Sequence, residues 1–560
     1  MTVPATVSLT DPFEVDTLLE IRTSAMKKMA GLNVQSGIDK KLCPGPMKVG
    51  KLGLEGDEHD PTFHGGPDKA ILGYCSSHYA GWQRSYPERR DRFVPGGFGE
   101  NFVTARMNER NVCIGDVVSV GPELVLQVSL PRQPCFKLNH RFSLKNFAPL
   151  TYQTSRTGWY YRVVREGVVR AGDQIRLVER PWPQWTVERV QEYLHRVTDD
   201  LDMNRQLAAV DALGEESRGQ FRKRVAKAMR KAARAAAAAA GEDDDTWRDF
   251  RITARSMETS RVVSLMLEAV VPDPDPELLP LPGSHARIKL PNGLVRSYSL
   301  VAGGDSLSKV SDRFELGVAL DAHSRGGSRY LHEKARVGDV VQVGRITAGM
   351  GFAKAASNHC FVAGGIGITA FLALIRRVDK IHLNYKLHYA VRSADEMPYR
   401  DRLEPYRHNI VIYDKSRGER MDVAQIVKGL MWNSHLYVCG PNRMMEAAKA
   451  AVEEAGISPG EVHYEAFAAD ISGDPFEVEV TGSKKSQVLA VGEDESLLEV
   501  LRREMPDFPS SCEVGNCGTC KITVRSGRVD HRGSALLPEE QETSMLACVS
   551  RGIGRIAIEV

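Results

Sequence analysis

Apolar residues recur with different periods along this chain, and each period predicts a different kind of unit. Up to Trp185, short apolar runs are broken by Gly and Pro and helical spacing is scarce, which predicts a β-rich, barrel-like unit. Over residues 186–230 the spacing turns helical: Val187, Val190, Leu194 and Val197, then Leu207, Val210 and Leu213, then Phe221 and Val225. Three short helices fit this pattern, the last of them rich in Arg and Lys; a solvated face accounts for those charges better than a nucleic-acid surface. Residues 231–245 read KAARAAAAAAGEDDD. The alanines favour helix, Gly241 stops it and the acidic triplet cannot pack, so a semi-rigid spacer is expected there.

Alternating β-branched residues over 256–271 and a β-rich pattern to about 343 predict a second unit built on strands. From 359 to 467 strands alternate with helical segments, as in CFVAGGIGITAFLALIRRV and HLYVCGPNRMMEAAKAAVEEAG, which predicts a parallel sheet with crossover helices. Residues 475–560 form a small α+β unit. The 560 residues suit about four domains at roughly 150 residues each, so one core cannot cover the chain.

Charge changes this picture by exclusion. With 74 Lys+Arg against 72 Asp+Glu the net charge is +2, which removes the polyelectrolyte argument for nucleic-acid binding. No run of about 18 apolar residues is present and the first segment has neither a signal-peptide nor a transit-peptide pattern, so no membrane span and a cytoplasmic location are expected. The ten cysteines are too few for a disulfide scaffold, but Cys512, Cys517, Cys520 and Cys548 cluster near the C-terminal end.

That cluster is the strongest chemical signal. PSSCEVGNCGTC gives C-x4-C-x2-C, and Cys548 supplies a fourth thiolate, the spacing that holds a 2Fe-2S cluster; a structural zinc site is the competing reading, though zinc loops usually pair ligands as two C-x2-C units. Residues 476–560 thus resemble plant-type ferredoxin domains. A nicotinamide delivers electrons in pairs and a cluster accepts them singly, so a flavin is expected between them. Arg296-Ser297-Tyr298-Ser299 has the R-x-Y-S form of the ferredoxin-reductase superfamily. That resemblance implies that Arg296 meets flavin phosphate, that Tyr298 and Ser299 lie at the isoalloxazine, and that Gly326, Gly327 and Ser328 form a phosphate turn. Gly364, Gly365, Gly367 and Thr369 form a glycine-rich loop between a strand and a helix, as a dinucleotide site requires, or as tight packing alone would produce. By the same resemblance Cys439 and Gly440 lie beside the nicotinamide and Phe467 near the flavin. The module order resembles phthalate dioxygenase reductase and vanillate demethylase reductase, which implies FMN and NADH. Arg392, Ser393 and Arg400 keep NADPH as the alternative. Ala370 stands where relatives commonly have Pro.

The N-terminal half carries ordered blocks: Gly53-Leu54-Glu55-Gly56-Asp57, His64-Gly65-Gly66-Pro67-Asp68-Lys69, Gly97-Phe98-Gly99-Glu100-Asn101, Pro131-Arg132-Gln133-Pro134-Cys135, Thr157-Gly158-Trp159 and Trp185-Thr186-Val187. Together these resemble the MOSC domain of molybdenum-cofactor proteins, and more closely the bacterial members that reduce N-hydroxylated bases and end in a three-helix appendage. The resemblance implies a molybdenum cofactor with Cys135 as its thiolate ligand, and Arg132, His64 and Lys69 as catalytic or cofactor-binding groups. A buried structural cysteine and a turn with a surface lysine are the competing readings. Asp57, His59, Asp60 and Glu100 suit either a pocket wall or a turn cap. Cys43, Cys75, Cys113 and Cys360 read as ordinary buried thiols.

The expected fold is therefore multidomain α+β and α/β: a MOSC β-barrel (1–184), a three-helix appendage (185–230), a linker (231–247), an FMN-binding β-barrel (248–352), a Rossmann-like NAD domain (353–470) and a β-grasp ferredoxin domain (475–560). The expected activity passes electrons from NADH through FMN and 2Fe-2S to molybdenum, reducing a small N-hydroxylated substrate, within one chain or across a homodimer. The alternatives are an electron-transfer component for a separate oxygenase, with the MOSC part as a docking or cofactor-carrier domain, and transfer of sulfur or cofactor by Cys135.

Overall fold

The structure is a computed structural model that describes residues 12–560 outside 33, 60–64, 240–246, 273–283, 302–311, 321–325, 348–350, 352, 354, 468–470, 483–486, 507, 511–512, 516–517, 534 and 537. The chain divides into two compact units, one of residues 1–244 with 354–357 and the other of 245–353 with 358–560.

In the first unit the strands β1 (Val15–Thr23), β2 (Ile71–Cys75), β3 (Phe102–Thr104), β4 (Val117–Val120), β5 (Leu124–Pro131), β6 (Trp159–Arg165) and β7 (Gln174–Glu179) form one sheet in the order β7-β4-β5-β6-β2-β3-β1. Val15 pairs back to Arg176, which closes the sheet into a barrel and removes its edges. Helix α1 (Phe136–Phe142) follows β5, and the appendage consists of α2 (Val187–Gln191), α3 (Leu201–Ala209) and α4 (Glu215–Ala239). Side-chain oxygens start two of them: Thr186 Oγ1 accepts from Arg189 N at 3.1 Å and Asp200 Oδ1 from Met203 N at 2.9 Å. Two features depart from expectation. The appendage is no separate core, because Val187, Val190, Leu207 and Phe221 belong to the same buried cluster as Leu126, Val128 and Trp159 of the barrel. Helix α4 is 25 residues long and crosses the expected boundary at 230, since alanine is the best helix former and residues 231–239 contain no glycine or proline.

In the second unit six strands, β8 (Arg248–Thr259), β9 (Val262–Ala269), β10 (His285–Lys289), β11 (Val295–Val301), β12 (Arg313–Ala319) and β13 (Val340–Thr347), close a barrel in the order β8-β9-β12-β11-β10-β13. Between β12 and β13 lies the short helix α5 (Gly327–Glu333). A parallel sheet follows, with β14 (Asn358–Gly364) at its centre flanked by β15 (Asn384–Val391) and β17 (Ser434–Cys439), and with β16 (Ile410–Asp414) and β18 (Val462–Tyr464) outside them. β14 is buried along its whole length, as expected for a strand covered by helices on both faces. The last residues form a five-stranded mixed sheet with a helix over Leu497–Glu504, opened by a capping box between Ser496 and Glu499. Among the described residues no helix is long and apolar enough to cross a membrane.

Candidate functional site

The MOSC-like barrel opens into a cleft at the end of β5, enclosing about 580 Å³ of empty space with its open mouth included. Cys135 lies there in extended conformation, one residue before α1, and is partly exposed. Arg132 is 5% exposed; its Nη2 donates to Phe98 O at 2.9 Å, while Nη1 is buried with no acceptor among the described residues. Lys137 Nζ donates to Gln35 O at 3.2 Å. Lys69 pairs with Glu216 of α4 and also lines the cleft. Lys40, which no motif pointed to, is buried and bonds Asp57 at 2.5 and 2.6 Å; desolvation lowers its pKa, and the carboxylate opposes that shift. Asn101 Nδ2 donates to the same carboxylate at 2.8 Å.

The choice between pocket wall and turn cap is thereby resolved for three residues. Asp57 and His59 line the cleft. Glu100 does not: it is fully buried, accepts from Gly96 N at 2.6 Å and Phe98 N at 3.1 Å, and so braces the loop whose Phe98 carbonyl holds Arg132. Asp60 and His64 lie outside the described residues. Cys75, Cys113 and Cys360 are buried thiols, with burial pushing each up to about 12, whereas Cys43 is only half-buried, its sulfur 3.2 Å from Thr23 Oγ1. Tyr160, beside Lys69, is a neutral phenol, pushed up to about 12 by burial against the opposing pull of Arg132. Four cations, Lys40, Lys69, Arg132 and Lys137, thus face two carboxylates, Asp57 and Glu216. An anionic group with a soft metal fits this donor set: Cys135 offers the thiolate and Arg132 an unused guanidinium nitrogen.

In the second unit the flavin motif and its expected phosphate turn meet. A Cβ on Gly327 would lie 2.8 Å from Arg296 Cγ, so only glycine permits the approach, and Gly326 before it has φ +93°. Ser328 is half-buried at the start of α5, and Tyr298 is half-buried on β11 with its phenol pushed up by burial. Ser299 Oγ donates to Glu465 Oε1 at 2.7 Å. Glu465 is 6% exposed, and burial pushes its carboxyl up to about 7, moderated by the Ser299 hydrogen bond. Cys439 is fully buried, and burial together with the charge of Glu465 pushes its thiol far up. Ser299, Cys439 and Glu465 therefore converge; the resemblance placed the whole stretch Tyr464-Glu465-Ala466-Phe467 near the flavin but gave Glu465 no role of its own.

The glycine-rich loop divides its labour. A Cβ on Gly367 would lie 2.2 Å from the Cys439 carbonyl, and Cβ atoms on Gly364 and Gly440 would strike Met444, so these three glycines serve close packing between two loops. Gly365 instead faces open space at φ +54°, a backbone conformation that favours glycine. Thr369 is buried, and its hydroxyl donates to Ile366 O at 2.9 Å. Ala370 is fully buried and Phe467 is 39% exposed. Arg392 and Arg400 are exposed, and Ala394 N donates at 3.0 Å to Asp414 Oδ2. In the last domain the sulfurs of Cys520 and Cys548 lie 3.1 Å apart in buried surroundings; Cys512 and Cys517 lie outside the described residues.

Comparison with known proteins agrees with this order of sites. Residues 60–176 match the MOSC domain family, 185–228 the YiiM-like 3-alpha helix domain, 361–450 the oxidoreductase NAD-binding domain and 479–551 the 2Fe-2S iron-sulfur cluster binding domain. A reductase of Gibberella moniliformis is 34% identical over 558 residues, covering 97% of this chain and 95% of its own length. The heme-dependent oxidative N-demethylase beta subunit of Ectopseudomonas mendocina is 37% identical over 278 residues, 49% of this chain and 86% of the relative. The crystal structure of YiiM from Geobacillus stearothermophilus is 32% identical and covers 38% of this chain and 99% of its own, with a TM-score of 0.32. Fold and site define an NAD(P)H-dependent oxidoreductase with a 2Fe-2S cluster-binding domain. The chain belongs to the family of the Gibberella reductase, in which a MOSC domain and a YiiM-like three-helix domain are joined to a phthalate dioxygenase reductase-type module.

Proposed function

We propose that this chain reduces small N-hydroxylated substrates such as N-hydroxylated purines at the MOSC cleft with electrons from NADH, the cofactor order being NADH, FMN, 2Fe-2S and molybdenum cofactor. The observation that carries the reading is the coexistence in one chain of NAD-binding and 2Fe-2S cluster-binding domains with a cationic cleft lined by both Cys135 and Arg132, one of whose guanidinium nitrogens has no acceptor among the described residues. The overall change is R-NHOH plus two electrons and two protons to R-NH2 and water.

When bound, the flavin converts paired into single electrons and the molybdenum centre returns them as a pair in oxygen-abstracting chemistry. Arg296 and the Gly326–Gly327 turn hold the FMN phosphate. Glu465, with a carboxyl pushed up to about 7, holds or releases a proton at Oε1 next to Ser299 Oγ at physiological pH. In the cleft Cys135 supplies the thiolate, Arg132 and Lys137 hold the cofactor's phosphate, and neutral Tyr160 and cationic Lys69 are the groups able to give a proton to the departing hydroxyl.

The test is the purified full-length protein, analysed for Mo, Fe and flavin and assayed with NADH and N-hydroxylaminopurine. Cys135→Ala is expected to lower that turnover by at least about 100-fold, as loss of a metal ligand should, with NADH-dependent ferricyanide reduction retained; survival of both activities overturns the molybdenum assignment. The reductase half also resembles subunits such as the N-demethylase beta subunit, which favours, as second reading, electron delivery to a separate oxygenase. Protein free of molybdopterin from a host that makes the cofactor would select that reading.

A further inference from the structure

The two segments that carry the cleft's thiol and its outer lysine are held by one and the same helix. Gly214 N, just before α4, donates to Ser129 O on β5 at 2.8 Å, and Glu215 N donates to Asp68 Oδ2 at 3.2 Å. Gln220 Nε2 donates to Gln133 Oε1 at 3.3 Å, two residues before Cys135. Between these contacts Glu216 forms its ion pair with Lys69. The Lys69 side chain is 13% exposed, lines the cleft, and has its Nζ 6.0 Å from the centre of the Tyr160 ring.

A lysine at a cleft mouth would ordinarily sweep a wide volume on its flexible stem. Glu216 removes that freedom, because its own backbone belongs to the first turn of a helix packed on the barrel core. The carboxylate is 42% exposed, so the pair contributes little to stability. Its consequence lies in where the ammonium is placed and in how much positive charge the cleft shows to a ligand.

We propose that Glu216 is a positioning residue of the MOSC cleft: it fixes Lys69 beside Tyr160 and offsets its charge, so that the three-helix appendage is part of the reducing site. The proposal rests on the reading that substrate is reduced in this cleft. Any phosphate-bearing or other oxyanionic group that enters competes with Glu216 for Lys69. The wild-type carboxylate therefore weakens anion binding while holding the ammonium where turnover needs it.

Opposite signs test this. In the full-length protein Glu216→Gln is expected to bind inorganic phosphate several-fold more tightly, by calorimetry, yet to turn over N-hydroxylaminopurine about 10-fold more slowly, a modest penalty for misplacing a reacting group. Glu216→Asp should recover most of the turnover, and ferricyanide reduction should stay unchanged. Lys69→Gln should weaken phosphate binding, and the double variant should match Lys69→Gln in both measurements, since Glu216 acts only through Lys69. If phosphate affinity and turnover fall together in Glu216→Gln, or if the losses in the double variant simply add, Glu216 is only a brace and the proposal fails. Should the wild type leave N-hydroxylaminopurine untouched while the phosphate responses follow the expected pattern, the functional reading fails and the Glu216–Lys69 coupling stands.

Discussion

The two chemical regions of this protein handle buried charge in opposite ways. In the MOSC cleft two of the four cations are paired, Lys40 with Asp57 and Lys69 with Glu216, while Arg132 and Lys137 donate to carbonyls. Where Ser299, Cys439 and Glu465 meet, no cation pairs with the carboxyl among the described residues, and burial pushes it up to about 7 against the Ser299 hydrogen bond. The first arrangement stores fixed charge for an anion. The second stores a proton that can be given up near neutral pH. One chain thus separates electrostatic holding from proton exchange, and a substitution that mixes the two should be costly.

The largest effect is expected in the cleft. Asp57→Ala strands buried Lys40, and breaking such a pair costs about 4 kcal/mol, to be read as a lower unfolding midpoint of the first unit. Next comes the lone carboxyl. Its folded pKa is raised above the ordinary 4.5, so its stabilising contribution is complete below pH 4.5 and is lost as pH rises through about 7. Denaturant titrations should show the second unit losing roughly 3 kcal/mol across that window, and Glu465→Gln should flatten the curve. The same variant should slow NADH oxidation by roughly 100-fold, the lower end of what a proton-transfer group contributes, without altering phosphate binding in the cleft. Smallest is Ser299→Ala, about 10-fold in the same assay, equal to one hydrogen bond of about 1.4 kcal/mol. An unchanged pH profile in Glu465→Gln would erase the contrast between the regions.

Local patterns made much of this legible in the sequence. The run Cys360-Phe361-Val362-Ala363 announces a strand buried on both faces, and R-x-Y-S, G-G-I-G-I-T and C-x4-C-x2-C each mark a site because their ligands lie close together in the chain. What stayed hidden depends on contacts between distant residues. Ser299 and Glu465 are separated by 166 positions, Glu215 and Asp68 by 147, and no periodicity encodes such meetings. Lys40 sits in an unremarkable polar stretch, and only closure of the barrel brings it to Asp57. The continuity of barrel and appendage was hidden for the same reason: Val187 and Phe221 show helical spacing, but the partner they pack against is a strand sixty or more residues earlier, such as that of Leu126.

Helix α4 has a mechanical meaning as well. At 1.5 Å per residue its 25 residues make a rod of about 37 Å, with Glu216 at one end and the chain's exit toward the reductase half at the other. Ala239, the helix's last residue, is therefore held at a fixed distance and angle from the cleft within the first unit. Because each residue of an α-helix turns the chain by about 100°, adding a single alanine would swing the point of departure round the rod, whereas adding about seven would restore its bearing and lengthen only the reach. The alanine run thus behaves as a phase setting, in which helical angle matters as much as length.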